Sequence, residues 1–172
     1  MKLAYVTVQG RGRIDQLLAQ AAEGLQAAGV VLAGTVQTNI ERDDRRLCDM
    51  DLQLLPNGPV VRISVDRGPE ARGCRLDAGV LEDSVLWLSQ NLDGAQLLIV
   101  NKFGIQEASG RGLVPVIAEA LSRNLPVLVG VNGLNLPRFL DFAADLAELL
   151  EPEPEAVIRW GLAARQESTG RG

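Results

Sequence analysis

The sequence predicts an α/β fold, a three-layer sandwich with a mostly parallel sheet and an inserted β-hairpin. Three observations point to it. The chain opens strand, helix, strand with short joints, the pattern of a βαβ unit. Leu97–Val100 and Pro126–Val131 are continuously apolar rather than alternating, as in strands covered on both faces. Asn57-Gly58 sits between two extended runs and is a strong hairpin signal.

The first strand is expected from Lys2 to Gln9, followed by a Gly10-Arg11-Gly12-Arg13 loop and a helix from Ile14 to Ala28. Leu17, Leu18, Ala21, Leu25 and Ala28 give that helix its apolar stripe, and Gly29 stops it. Val30 to Val36 is the second strand. Thr38 to Arg46 is polar and charged, so it reads as an exposed, mobile loop. Leu47–Leu55 and Val60–Asp66 form the hairpin about Pro56-Asn57-Gly58, and Arg67–Gly73 is loop. Asp77 is placed to cap a helix from Ala78 to Gln90, with Val80, Leu81, Val85 and Leu88 inward. The strand Gln96–Val100, a helix Leu113–Ser122 and the strand Pro126–Val131 follow. A helix Asn135–Leu150, with Pro137 in its first turn, a short strand Ala156–Trp160 and a weak helix complete the chain. The expected organisation is one domain over residues 1–166 with a frayed tail at 167–172.

Composition excludes more than it suggests. The 172 residues suffice for one domain with a full core. No apolar run nears the roughly 20 residues that span a bilayer, and the N-terminal segment lacks a signal peptide's apolar stretch and cleavage site. A cytoplasmic protein without membrane partners is expected, with a homo-oligomer left open. A formal charge of −5 argues against a general nucleic-acid binder. The absence of histidine removes histidine triads, bases and metal ligands, and the two cysteines are too few for a structural zinc site. Cys74, before a helix and beside Arg75, is placed to act as a soft ligand or as a redox partner of Cys48. Two reduced cysteines, one in the core, are the plainer alternative.

Two loops carry the chemistry. Gly10-Arg11-Gly12-Arg13 follows a strand and opens a helix, where backbone N–H groups and the helix dipole can cradle phosphate. A working phosphate loop ends in Gly-Lys-Ser/Thr, whose lysine reaches the terminal phosphates and whose hydroxyl holds magnesium. With Gly12 as the second glycine, Arg13 stands at the lysine and Ile14 at the hydroxyl, one residue of slip being possible. The second loop follows the central strand as Asn101-Lys102-Phe103-Gly104-Ile105-Gln106-Glu107 and continues to Arg111. Triphosphatases place an acidic pair at such a loop to hold magnesium and activate water; Asn101 and Lys102 stand there instead. The two strands are expected to be neighbours, which would bring the loops together. Arg11, Arg13, Lys102 and Arg111 against one carboxylate, Glu107, make the site net positive, suited to a small anion and poorly suited to magnesium. The bland alternative is a pair of turns with solvated charges.

Asn101-Lys102-Phe103-Gly104 with Glu107-Ala108 and Gly110-Arg111-Gly112, together with Gly73-Cys74-Arg75-Leu76-Asp77 and Gly34-Thr35-Val36-Gln37, resemble the bacterial family named domain of unknown function 2478. The resemblance covers essentially the whole chain. That family is in turn distantly similar to small nucleoside triphosphatases with a phosphate-loop fold, which implies a nucleotide site between the two loops, Gly104 and Glu107 carrying over directly. It also implies an association with molybdate-uptake genes. The expected function is nucleotide or phosphate binding at a degenerate phosphate loop, using Gly10, Arg11, Gly12, Arg13, Asn101, Lys102, Gly104 and Arg111. At most it is a weak triphosphatase, with Glu107 orienting water. A molybdate- or tungstate-binding protein is the alternative, and an interaction module the third reading.

Overall fold

The computed structural model describes residues 1–41, 48–65 and 75–169. The first strand, β1 (Leu3–Val6), leads through the glycine loop into α1 (Arg13–Ala27) and β2 (Leu32–Glu41). The insertion comprises β3 (Cys48–Leu55), β4 (Val60–Arg62), β5 (Ser64–Val65) and β6 (Arg75–Leu76). Then come α2 (Ala78–Gln90), β7 (Leu97–Phe103), the single turn α3 (Ile105–Ala108), α4 (Val114–Ser122) and β8 (Val127–Val131). The chain closes with α5 (Leu136–Ala143), β9 (Ala147–Leu149) and α6 (Pro154–Thr169).

Seven strands form one sheet in the order β4-β3-β2-β7-β8-β1-β9, and β5 pairs with β6 beside it. The five strands β2, β7, β8, β1 and β9 are parallel; β3 and β4 extend the sheet antiparallel. Alternate residues of the apolar runs serve opposite layers, so the runs carry no visible alternation. Leu97, Ile99 and Leu128 pack with Leu18 and Leu25 of α1 and Val157 of α6. Leu98, Val100, Val127 and Val129 face Val85 and Leu88 of α2, Val116 and Ile117 of α4, and Phe139 of α5. Asp77 caps α2 as expected, its Oδ1 accepting the N–H groups of Gly79 at 3.0 Å and Val80 at 3.2 Å.

Several boundaries differ from the sequence reading; in particular β7 runs on through Phe103, so Asn101 and Lys102 lie on the strand and not in the loop expected after Val100. The first strand is shorter, Leu3–Val6. Thr38 to Glu41 belong to β2, because this half pairs with β3 from Thr38↔Asp51 to Glu41↔Cys48; residues 42–46 of the expected loop lie outside the described residues. The helix expected to reach Leu150 ends at Ala143, where Ala144 takes φ 49°, and Ala147–Leu149 join the edge of β1 instead. Ala156–Trp160 are helical, in an α6 that begins at Pro154, whose fixed φ suits a first helical position. That helix continues through Thr169, into the expected tail.

One glycine shapes the ends of the strands. Gly34, on β2, has φ 112°, and a Cβ there would lie 1.9 Å from the Ile99 carbonyl oxygen. The parallel ladder between β2 and β7 stops at Gly34↔Ile99. Beyond it the strands separate and side chains fill the wedge. Gly34→Ala should therefore cost at least about 3 kcal/mol in urea denaturation, combining the clash with a disfavoured φ. Gly29→Ala, at φ 78° with nothing within 4 Å, should cost only about 1 to 2 kcal/mol. Equal losses would remove the close approach as the reason for glycine.

Candidate functional site

The first loop turns from β1 into α1 through Gly10 at φ 107° and Gly12 at φ 72°, left-handed conformations that favour glycine. Gly12 is the residue before the helix and offers no side chain to the first-turn N–H groups. Those donors, with the positive end of a fifteen-residue helix, face the loop. Arg11 and Arg13 are exposed there, and the Arg13 stem lies over Gly10, whose added Cβ would come 2.6 Å from Arg13 Cδ.

Ile14 is buried in the core under α1, and the residue that faces Asn101 is Asp15. Its carboxylate is 4% exposed. Oδ1 accepts from Asn101 Nδ2 at 2.7 Å and Oδ2 from Asn39 Nδ2 at 2.6 Å. The loops are not on adjacent strands, which corrects the expectation, because β8 runs between β1 and β7. Gly130 on β8 makes the crossing possible: a Cβ there would meet the Asn101 carbonyl oxygen at 2.2 Å and Leu18 Cδ1 at 2.8 Å. With no side chain in the way, the start of α1 reaches over β8 to β7.

Asn101, 2% exposed, bridges the wedge between β7 and β2. Its N–H donates to Thr35 Oγ1 at 3.2 Å, and its Oδ1 accepts the Gln37 N–H at 2.9 Å. Gln37 Nε2 donates in turn to Asn39 Oδ1 at 2.8 Å. Lys102, about one-third exposed, brings Nζ to 3.8 Å from Asp15 Oδ1. These residues do not fit magnesium. Both Asp15 oxygens already accept amide hydrogens, Asn101 Oδ1 is taken by a backbone N–H, and an ammonium stands beside the carboxylate.

Glu107 is 5% exposed. Its Oε2 accepts the Gly104 N–H at 2.9 Å and its Oε1 the Leu113 N–H at 3.0 Å, so it clasps the loop between β7 and α4. Both oxygens face backbone donors, a positioning arrangement that leaves little for orienting water. Arg111 is exposed beyond α3 and donates its backbone N–H to Gln106 O at 2.9 Å. Cys74 and the Cys48 side chain, and with them the pairing expectation, lie outside the described residues. Asn101, Lys102, Gly104 and Glu107 also line a pocket walled by Leu52, Ile63, Leu81 and Leu113. The sequence reading passed over Asp15, Thr35 as a bridge, and Asn39. A signal for Asp15 was present: it lies three residues before Leu18, on the helix's apolar stripe.

The chain belongs to the family described as protein of unknown function (DUF2478), whose model matches residues 3–160. It is also 32% identical over 162 residues to the molybdenum import ATP-binding protein ModC 2 of Bradyrhizobium diazoefficiens. That match takes in 92% of this chain but only 18% of the length of that relative. Among solved structures it is similar to a human cancer-related nucleoside triphosphatase, with a TM-score of 0.62 over 96% of this chain and 98% of that one. At 18% identity the likeness shows the fold alone.

Two substitutions test the arrangement by chemical denaturation. Asn101→Asp sets a second carboxylate against buried Asp15 and should cost about 3 kcal/mol. Adding Asp15→Ser should recover more than half of that, a positive coupling in the double-mutant cycle; independent losses would show that the two side chains do not meet. Glu107→Ala orphans two N–H groups and should cost about 2 to 4 kcal/mol. An unchanged stability would return Glu107 to the catalytic reading.

Proposed function

We propose that this protein binds a phosphate-bearing ligand, a nucleotide in the first instance, at a degenerate phosphate loop and with little or no hydrolysis. The observation that carries this is the contact of Asp15 with Asn101 and Lys102. A loop hydroxyl, a strand carboxylate and a divalent cation are replaced by a helix carboxylate, a strand amide and a fixed ammonium. The first-turn N–H groups of α1, Arg11, Arg13 and Lys102 supply the attraction for the anion, as helix N-termini do for phosphate. The fold shared with a nucleoside triphosphatase and the match to an ATP-binding protein support a nucleotide. Binding would be indifferent to magnesium, since the donors that would hold it are already engaged.

The relative's name also speaks of molybdenum import, which favours a second reading, a molybdate- or tungstate-binding or regulatory protein. No helix among the described residues is long and apolar enough to cross a membrane.

The test is the melting temperature with millimolar ATP, GTP, phosphate, pyrophosphate, molybdate and tungstate, each with and without magnesium. A ligand at about 100 times its dissociation constant adds about 2.7 kcal/mol, a readily visible shift. The expected outcome is a shift with a nucleotide that magnesium does not alter, reduced in Lys102→Ala by about 1.5 to 3 kcal/mol of binding energy. A shift that requires magnesium refutes the degenerate loop. One confined to molybdate or tungstate selects the second reading.

A further inference from the structure

We propose that α5 and the edge strand β9 form a docking surface for a basic, apolar segment of another protein, taken up as a strand beside β9. This goes beyond the reading above, since no residue of the phosphate site belongs to the surface. Among the described residues eleven large apolar side chains are exposed, and five of them fall within residues 134–149: Leu134, Leu140, Phe142, Leu146 and Leu149. Scattered exposed leucines are ordinary, whereas a concentration of them with polar neighbours marks an interaction surface. The pairing register ties helix and strand together. Leu149 stands opposite Tyr5 of β1, so the two side chains share a face of the sheet. Tyr5 packs on Phe139 of α5 with ring centroids 5.1 Å apart. Leu149 thus extends the α5 side of the sheet out to its edge.

β9 is the last strand of the sheet, and among the described residues its strand partner is β1 alone. Leu150 donates its N–H to the Tyr5 carbonyl at 2.9 Å. Backbone groups alternate between the two sides of a strand, so those of Leu149 point off the sheet, where a further strand could pair. The opposite edge is closed by charge: Arg62 on β4 lies 3.1 Å from Asp49 and 2.9 Å from Asp51.

The charge around β9 decides the occupant. Residues 141–155 carry six carboxylates and no lysine or arginine, more than the whole chain's net charge of −5. Asp141, Asp145, Glu148, Glu151, Glu153 and Glu155 are all exposed, and none is in an ion pair among the described residues. Two such faces would repel each other, which disfavours a second copy, and anionic lipid would be repelled in the same way. A strand alternating lysine or arginine with large apolar residues matches both features. Its apolar side chains would lie beside Leu149 and α5, and its cations would reach the carboxylates.

Fluorescence anisotropy of a labelled peptide alternating lysine and leucine over about eight residues, titrated with the full chain, tests this. It should bind at least about tenfold more tightly than a glutamate–leucine or a lysine–serine peptide of the same length. The first control lacks the charge complementarity and the second the apolar contact. Leu149→Ser and Leu146→Ser, each at an exposed position, should weaken binding about fivefold. Asp145→Lys combined with Glu148→Lys should weaken it about tenfold at low salt and less at high salt. Leu86→Ser, which replaces an equally exposed leucine on α2, should leave it unchanged. Equal binding of the lysine–serine peptide, or unaltered binding in the β9 variants, overturns the proposal. A dimer in sedimentation that Leu149→Ser abolishes overturns it in favour of a second copy. Adsorption to phosphatidylcholine vesicles, lost in the same variant, overturns it in favour of a membrane.

Discussion

A buried carboxylate holds the ends of three elements together. Asp15 leaves the first turn of α1 and is caught between an amide on β7 and an amide on β2, with a lysine ammonium alongside. A carboxylate out of water is tolerable only when its lone pairs are met, and here each oxygen has an amide donor and the net charge a cation nearby. Because both partners lie at the C-terminal ends of strands, the bond fixes where the helix starts relative to the sheet. The loop geometry before that helix follows, since Gly10 and Gly12 must bring the chain from the end of β1 to that point. Two absent side chains permit the arrangement: Gly34 lets β2 approach and then leave β7, and Gly130 lets α1 cross β8.

The layers were legible because burial on both faces writes itself into local sequence. Leu97–Val100 and Val127–Val131 could hardly be anything but central strands, and the cap at Asp77 is a local event settled within three residues. The misread segments depend on distant partners. Thr-Asn-Ile-Glu at 38–41 has the composition of a loop, and it is extended because β3 supplies a ladder. Ala147–Leu149 would suit a helix, yet the open edge of β1 draws it into the sheet. Val157 and Ala164, seven residues apart, gave the helical period of α6, but the compact apolar run Ala156–Trp160 masked it. Gly161 and Gly24 then let α6 sit closely on α1, the former beneath Leu25 and the latter beneath Ile158.

The place of the candidate site was argued in the same way, since strand-to-helix loops at the carboxyl ends of a parallel sheet are where ligands gather. The roles inside it were not. Asp15 and Asn101 are 86 residues apart, and nothing local to either announces the other. Glu107 looked like a chemical group because it was the one carboxylate in a basic loop. Its surroundings make it a fastener: a Cβ on Gly112 would meet Oε1 at 2.1 Å, so the backbone is drawn tightly round the side chain. A lone acid in a loop is read differently once both of its oxygens are known to face N–H groups.

On the proposed reading, the arrangement of charges around Asp15 would separate binding from turnover on physical grounds. In a phosphate-loop triphosphatase the carboxylate sits on the strand, the helix contributes a neutral hydroxyl, and a divalent ion between them follows the charge that develops on the phosphates. Here a carboxylate lies on the helix, the strand contributes a neutral amide, and the cation beside them is a tethered ammonium. A tethered single charge can still attract an anion, and a helix N-terminus adds to it without any ion. What it lacks is the second unit of charge and the freedom to bridge two phosphate oxygens while a bond breaks. On the proposed reading ground-state attraction would be retained while stabilisation specific to the transition state would be reduced, and only the latter accelerates a reaction.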